Sequence, residues 1–455
     1  MRRRQLLDCL GAAGMLSALG QLAPVAQAAQ EPAGADYKAL VCVFLLGGND
    51  GNHMVVPLDE RHADHAKSRT GTALALNREQ WLPLPGADGR AGFGLNPALA
   101  PLLPVWADSR LTLLFNTGAL VEPLSRSTYL RGGRKPDNLF SHSDQQEFAQ
   151  GLGDDSPGRP GWGLRLARGV RPVVGAAGRL PPLISMAGNQ GLFRGDVRAS
   201  LVLPARGNFG LSGSGSDAAN AARMDALRAL WAQDPTAVGR QAGDVVASAL
   251  DAAGFVNPII NPPTGAATAS PVSAAFAAVK SDLGQQLLRV ARLVQARSLV
   301  GNRRQVFFVS LRGFDTHTNQ RAEQDRLLGD LAASLKAFDD AMQALGVGTQ
   351  VTAFTMSDFA RTLKVNNSAG TDHGWGNHHL VLGGAVRGRQ TYGSYPQLAL
   401  GGADDATREG RWIPSTSYDQ MVATLARWFG SDESVLAAIA PNLARFDQRD
   451  LGFLA

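Results

Sequence analysis

Ala39 to Leu46 (ALVCVFLL), followed by Gly47-Gly48-Asn49-Asp50-Gly51-Asn52, is the stretch on which the fold turns. An uninterrupted apolar run stopped by two glycines is the pattern of a strand buried on both faces, as in a parallel sheet covered by helices on each side. Comparable runs occur at Leu111 to Phe115, Gln305 to Leu311 and Val351 to Met356, with a shorter one at Leu380 to Leu382. Helical periodicity is clearest at Ala218 to Ala232, Ala277 to Ser298, Arg321 to Leu345 and Tyr418 to Phe429. Buried strands alternating with amphipathic helices predict an α/β protein, a three-layer α/β/α sandwich with a mostly parallel central sheet. Residues 29–455 read as one domain with a less regular insertion around 150–300, in which Asn257 to Pro271 (NPIINPPTGAATASP) has the composition of a surface loop.

The N-terminus has a different character. Arg2-Arg3-Arg4 precede a mildly apolar stretch rich in Ala, Gly and Leu that ends at Ala26-Gln27-Ala28. A basic start, a short apolar segment and a small-x-small end make residues 1–28 a cleavable signal peptide, and Arg3-Arg4-Gln5-Leu6-Leu7 resembles a twin-arginine signal. The protein is therefore expected to be periplasmic or secreted after cleavage near Ala28, with the twin-arginine translocase as its partner during export. No later segment is apolar for long enough to predict stable membrane insertion. Of the formal charge of +5, Arg2, Arg3, Arg4 and Asp8 in the leader account for +2. The small remaining excess, spread over a long chain, does not predict a nucleic-acid partner. Cys9 falls in the leader and Cys42 in the apolar run, so no intramolecular disulfide is expected.

Chemistry-bearing residues cluster after the apolar runs. Ligands of open α/β sheets gather at the carboxyl ends of strands, where loops are free to vary. Asp50 follows the first run, Asp315 and His317 (Gly313-Phe314-Asp315-Thr316-His317) the third, and Asp358 and Arg361 (Ser357-Asp358-Phe359-Ala360-Arg361-Thr362) the fourth. Five of the eight histidines, His142, His317, His373, His378 and His379, lie in three short polar motifs. Imidazole and carboxylate together are the donors of zinc, manganese and iron sites. In an extended segment Asp315 and His317, two residues apart, point to the same side and can face one ion. Spacing does not decide which of His373, His378 and His379 is a ligand. Ser141, in Phe140-Ser141-His142-Ser143-Asp144, precedes a helical pattern, where amide donors favour an activated hydroxyl. The same serine suits a helix cap with Asp144, and Asp315, Asp358 and Asp50 equally suit caps and turns.

In this order the motifs, with Asp372-His373-Gly374 to His378 and the closing Gly410-Arg411-Trp412-Ile413-Pro414, resemble an uncharacterised family of exported bacterial proteins in the alkaline phosphatase and sulfatase superfamily. The resemblance covers essentially the whole chain. It implies an alkaline phosphatase-like fold with one or two divalent metal ions, zinc first and manganese or iron as alternatives, at the carboxyl edge of the sheet. Carried over residue by residue, Asp50 and Asp358 look like carboxylates of one metal site. Asp315 and His317 look like ligands of the other, completed by His373 or His378. Ser141 is the nucleophile that the resemblance implies, with His142 or Arg361 holding the transferred group. Phe359 stands where the superfamily often has histidine, and no Cys-x-Pro-x-Arg or Ser-x-Pro-x-Arg sequence occurs, which argues against a formylglycine sulfatase. The implied activity is metal-dependent hydrolysis of an anionic ester, a phosphoester, sulfate or related oxyanion ester. The alternatives are a catalytically silent, metal-stabilised binding or assembly protein of the cell envelope, and a lyase or isomerase acting on phosphorylated or sulfated sugars.

Overall fold

The computed structural model describes residues 36–153, 159–174, 178–196, 199–210, 218–233, 236–263 and 270–455. The expected leader, residues 1–28, lies outside the described residues. Among the described residues, no helix is long and apolar enough to cross a membrane.

The central sheet has nine strands: β1 (Lys38–Leu46), β2 (Leu111–Gly118), β3 (Leu183–Ser185), β4 (Ser200–Val202), β5 (Arg304–Arg312), β6 (Val351–Ser357), β7 (Asn377–Leu382), β8 (Thr391–Tyr392) and β9 (Thr416–Ser417). Their order is β8-β2-β7-β6-β1-β5-β3-β4, with β9 also on β2. β1 lies between β5 and β6 and pairs in parallel with both, Leu45 standing level with Leu311 and Ser357. β7 runs antiparallel to both of its neighbours, and the other pairings are parallel. That exception positions the site: the residues that precede β7 lie at the edge where β1, β5 and β6 end. A smaller antiparallel sheet of Val55–Pro57, Leu82–Pro85 and Ala91–Leu95 follows the first strand.

Strand alternation divides the interior into two layers. Ala39, Val41, Val43 and Leu45 of β1 join one core cluster with Leu287, Val290 and Leu331, from helices Asp282–Gln295 and Gln320–Ala344. Leu40, Cys42 and Phe44 join a second, with Leu166 of helix Trp162–Val174 and Met421 and Leu425 of helix Tyr418–Phe429. Helices thus pack on both faces of a mostly parallel sheet, as the continuous apolar run requires. Cys42 is a free, buried thiol.

Helix Ala237–Ile260 includes the start of the expected loop, with Pro258 in its last turn. Asn257 is held there because its side chain donates to the Phe209 carbonyl at 2.9 Å and accepts from the Phe209 amide at 2.8 Å. A proline in the last turn costs little when side-chain bonds and the buried Ile260 hold the backbone in place. Residues 264–269 of that stretch lie outside the described residues. The single helix expected from Ala277 to Ser298 is instead Asp282–Gln295, capped by Ser281, whose hydroxyl accepts from the Gly284 amide at 3.1 Å.

Candidate metal centre

Four segments meet where β1, β5 and β6 end: the Gly47–Asp50 turn, the Gly313–His317 turn, Asp358–Thr362, and Asp372–Gly376 leading into β7. A fifth, helix His142–Gly151, points its first turn at them. Gly47 has a φ of +112°, and a Cβ there would lie 2.4 Å from the Asp315 amide nitrogen, so only glycine lets the first turn come this close to the second. The Asp372–Gly376 segment runs alongside Asp358–Thr362 through an antiparallel bridge between Arg361 and His373, and the Gly374 amide donates to the Ala360 carbonyl at 2.6 Å.

Asp315 Oδ1 is the focus of the cluster. His317 Nε2 lies 2.9 Å from it, His373 Nε2 3.2 Å and His142 Nε2 3.4 Å. The other ring nitrogen of each histidine is anchored. His142 Nδ1 donates to Asp358 at 2.7 Å, His317 Nδ1 to Asp372 at 3.1 Å, and His373 Nδ1 to the Phe140 carbonyl at 2.7 Å. A neutral imidazole that donates through Nδ1 carries its lone pair on Nε2. With all three rings neutral, three lone pairs would converge on one carboxylate oxygen; the Nε2 atoms of His317 and His373 are only 2.9 Å apart. Rings that are bare of a proton in this arrangement repel one another unless a proton or a metal cation lies between them. The ligand atoms of His142, Asp315 and His373 all lie within 4.8 Å of one another, and His142 Nε2 is buried without a hydrogen-bond partner among the described residues. Imidazoles steered by carboxylates and a carbonyl onto a common point are the donor arrangement of a divalent metal site, and these residues fit one.

Burial raises the pKa of Asp315, but Arg361 and the neighbouring histidines outweigh it and the net shift is downward, so the carboxyl stays ionised. The hydrogen bond to Asp358 raises the pKa of His142 against the opposing effect of burial. Burial lowers that of His373, with the charge of His142 and Arg361 acting in the same direction. The centre is open: Asp315 and His317 side chains are 47% and 42% exposed, unlike a closed structural site.

Of the remaining candidates only Arg361 reaches this point, its Nη1 donating to Asp315 Oδ1. Asp358 is buried, and its Oδ2 accepts from His142 Nδ1 and from Gln146 Nε2 at 2.8 Å, so it orients the imidazole. Gln146 falls one helical turn after His142 and shares its face. Asp50 is fully buried, and its Oδ2 accepts from Arg69 Nη2 at 3.0 Å and from Gln320 Nε2 at 2.6 Å. Arg361 is buried too, its guanidinium directed at the Gly47, Phe314 and Thr371 carbonyls and at Asp315 Oδ1, 3.0 Å away. It ties three of the segments together and holds Asp315 in place. Ser141 is the N-cap residue of the helix, and its hydroxyl donates to Asp144. His378 and His379, successive residues of β7, enter opposite core layers. His378 stacks on Tyr395 at 4.7 Å and accepts the Asn116 amide at 3.1 Å, while His379 approaches the Tyr418 hydroxyl at 3.3 Å. Burial brings both histidines down to a pKa of about 3, so they stay neutral.

Asp315 and His317 do meet, though not through an extended segment. The Thr316 and His317 amides donate two residues back, to the Phe314 and Asp315 carbonyls, in consecutive tight turns. Gln146, Arg69 and Gln320 were not among the residues expected at the site, and Asp372 was expected only as part of the Asp372-His373-Gly374 motif. Asp372 stands beside His373 and carried a signal in that adjacency. Arg69 and Gln320 lie in ordinary helical contexts and carried none.

Asp358→Asn and Asp372→Asn, which weaken the anchors of His142 and His317, are each expected to lower divalent-metal affinity by roughly 10- to 100-fold. Chelator competition measures this, and unchanged affinity in both variants would mean that the anchors do not orient the ligands.

Residues 212–438 match the model of a family described as "Protein of unknown function (DUF1501)". The chain is similar to an uncharacterised family. The matched region includes Asp315, His317, Asp358, Arg361 and His373, whereas Asp50, Ser141 and His142 precede it. No curated protein matches the chain. A solved structure described as "Crystal structure of Ps i-CgsB in complex with k-i-k-neocarrahexaose" aligns over 91% of this chain and 77% of that one, at 9% identity and a TM-score of 0.32. A likeness that weak supports no conclusion about fold or function.

Proposed function

We propose that the protein is an exported, metal-dependent hydrolase of phosphoesters or related oxyanion esters, with an alkaline phosphatase-like arrangement of the sheet. The observation that carries this reading is the convergence of His142, His317 and His373 Nε2 on Asp315 Oδ1, each ring anchored through Nδ1. These four residues would hold a divalent ion, zinc first by donor type, with manganese or iron as alternatives. Bound there, the ion supplies Lewis-acid stabilisation of negative charge on an ester oxygen. The chain's own contribution is orientation: Asp358, Asp372 and the Phe140 carbonyl fix the imidazoles, and Arg361 fixes Asp315. The exposure of Asp315 and His317 leaves a face on which a substrate can approach. Export rests on the sequence of the leader.

A binding role without turnover is favoured by one observation. The Arg361 guanidinium is buried and enclosed by carbonyls, so it is not presented to a substrate, and the Ser141 hydroxyl donates to Asp144. One experiment separates the two readings: turnover of an aryl phosphate, a phosphodiester and an aryl sulfate by the metal-loaded protein, compared with Asp315→Ala. Hydrolysis that Asp315→Ala abolishes is the expected result. Hydrolysis unchanged in that variant would overturn the site assignment, and a metal-loaded protein inert toward all three esters would favour the binding role.

A further inference from the structure

We propose that the centre holds one divalent ion per chain, and that Arg69 supplies to Asp50, as a fixed side-chain cation, the positive charge that a second ion would bring. The inference rests on the reading of His142, Asp315, His317 and His373 as ligands, and it concerns the carboxylates that a second ion would need.

A second ion requires carboxylate lone pairs that are free and aimed at a common point. Asp50 and Asp358 meet neither condition. Asp50 Oδ2 accepts from both Arg69 and Gln320, and Oδ1 lies 3.4 Å from Arg69 Nη2. Arg69 is itself held, Nε donating to the Leu363 carbonyl at 2.7 Å and Nη2 to the Thr362 carbonyl at 3.2 Å, so it does not swing aside. Arg69 and Asp50 side chains are 1% and 0% exposed, so repulsion between that guanidinium and a divalent ion would be unscreened, whereas Asp315, which also bonds a guanidinium, is 47% exposed and open to solvent screening. Asp358 is turned to a different task, accepting from His142 Nδ1, Gln146 Nε2 and the Gly47 amide.

Phe359 removes the remaining opportunity. Its ring packs 4.8 Å from that of His142 and 4.6 Å from that of His373, and it is buried. Gly48, with a φ of +83°, is closed over it so tightly that a Cβ there would lie 2.6 Å from the ring. An apolar wall therefore stands beside Asp358 where a further donor would be needed. His142, released from any second site by its bond to Asp358, faces Asp315 instead.

The test is the metal content of the purified full chain, saturated separately with Zn²⁺ and with Mn²⁺, desalted and analysed by mass spectrometry of the elements. About one ion per chain is expected with each metal. Two ions per chain would overturn the single-ion inference. Fewer than about one third of an ion would instead overturn the metal reading on which it rests. In a second arm, Asp50→Asn combined with Arg69→Met removes both buried charges together. That variant is expected to retain about one ion with affinity within about threefold of the parent by chelator competition. Loss of the ion from a variant whose circular dichroism shows it folded would overturn the assignment of Asp50 and Arg69, and a variant that fails to fold leaves the wild-type count to decide.

Discussion

His373→Ala is expected to lower divalent-metal affinity by at least about 100-fold. A metal site of four protein donors binds with roughly 10–16 kcal/mol, so an even share is about 3 kcal/mol per ligand, equivalent to somewhat more than a hundredfold. His373 stands between His142 and His317, with ring centroids at 4.4 Å and 4.8 Å, so its loss breaks the cluster in the middle rather than at its rim. The variant is also expected to fold. His373 is on a loop, and the backbone bonds that fix the loop, from Gly374 to Ala360 and from Ala360 to Trp375, do not use its side chain. Ester hydrolysis, where present, is expected to fall with metal occupancy and to recover in part at high metal concentration. Unchanged affinity by chelator competition would remove His373 from the ligand set and with it the convergence on which the proposed function depends.

The second large effect concerns stability. Arg69→Ala leaves the Asp50 carboxylate in the interior without its cation, and breaking a buried pair from one side costs about 3–5 kcal/mol. Arg69 also gives up its bonds to the Leu363 and Thr362 carbonyls, which join the helix His62–Arg69 to the segment after Asp358. Removing both charges together, as in Asp50→Asn with Arg69→Met, is expected to cost less than Arg69→Ala alone. Denaturant unfolding of the single and paired variants reads the difference, and equal losses would mean that the pair is not coupled. The pair also sets a pH dependence. Burial raises the pKa of Asp50, but Arg69, His53 and Gln320 outweigh it and the folded-state value lies below the ordinary carboxylate value. A depressed pKa contributes stability that is fully present above the unfolded-state value, about 4, and is lost as pH falls toward the folded value. Arg69→Ala is therefore expected to flatten the acid limb of the stability profile between about pH 4 and lower values.

Much of this fold is legible along the chain. The apolar run at Ala39 to Leu46 reads as a doubly buried strand because each of its faces meets a separate helical layer, and that is what β1 does. Helices Ala218–Ala232 and Tyr418–Phe429 begin and end as their periodicity predicts. Among the described residues, the stretch from Asn257 differs from its loop-like composition at its first four residues, which Asn257 and the buried Ile260 hold in the helix through contacts with distant residues. The helix expected at Ala277 to Ser298 misled at its start, where the cap falls at Ser281.

The candidate centre divides in the same way. Residue type and position brought Asp315, His317 and the group of His373, His378 and His379 forward, without deciding among the last three, because carboxylate and imidazole after buried strands are the material of a metal site wherever such strands end together. Their partners were a matter of tertiary structure. Which atom of each imidazole faces inward depends on Asp358, Asp372 and the Phe140 carbonyl, which arrive from other segments. That Asp50 answers to Arg69, and that His378 enters the core while His373 does not, depends on the reversed direction of β7 and on a helix packed beside the first turn. By itself the sequence determined which strands are buried and offered a set of carboxylates and imidazoles as candidate ligands. Only the tertiary structure decided which lone pairs remain free to do so, because hydrogen-bond partners far apart in the chain compete for the same atoms.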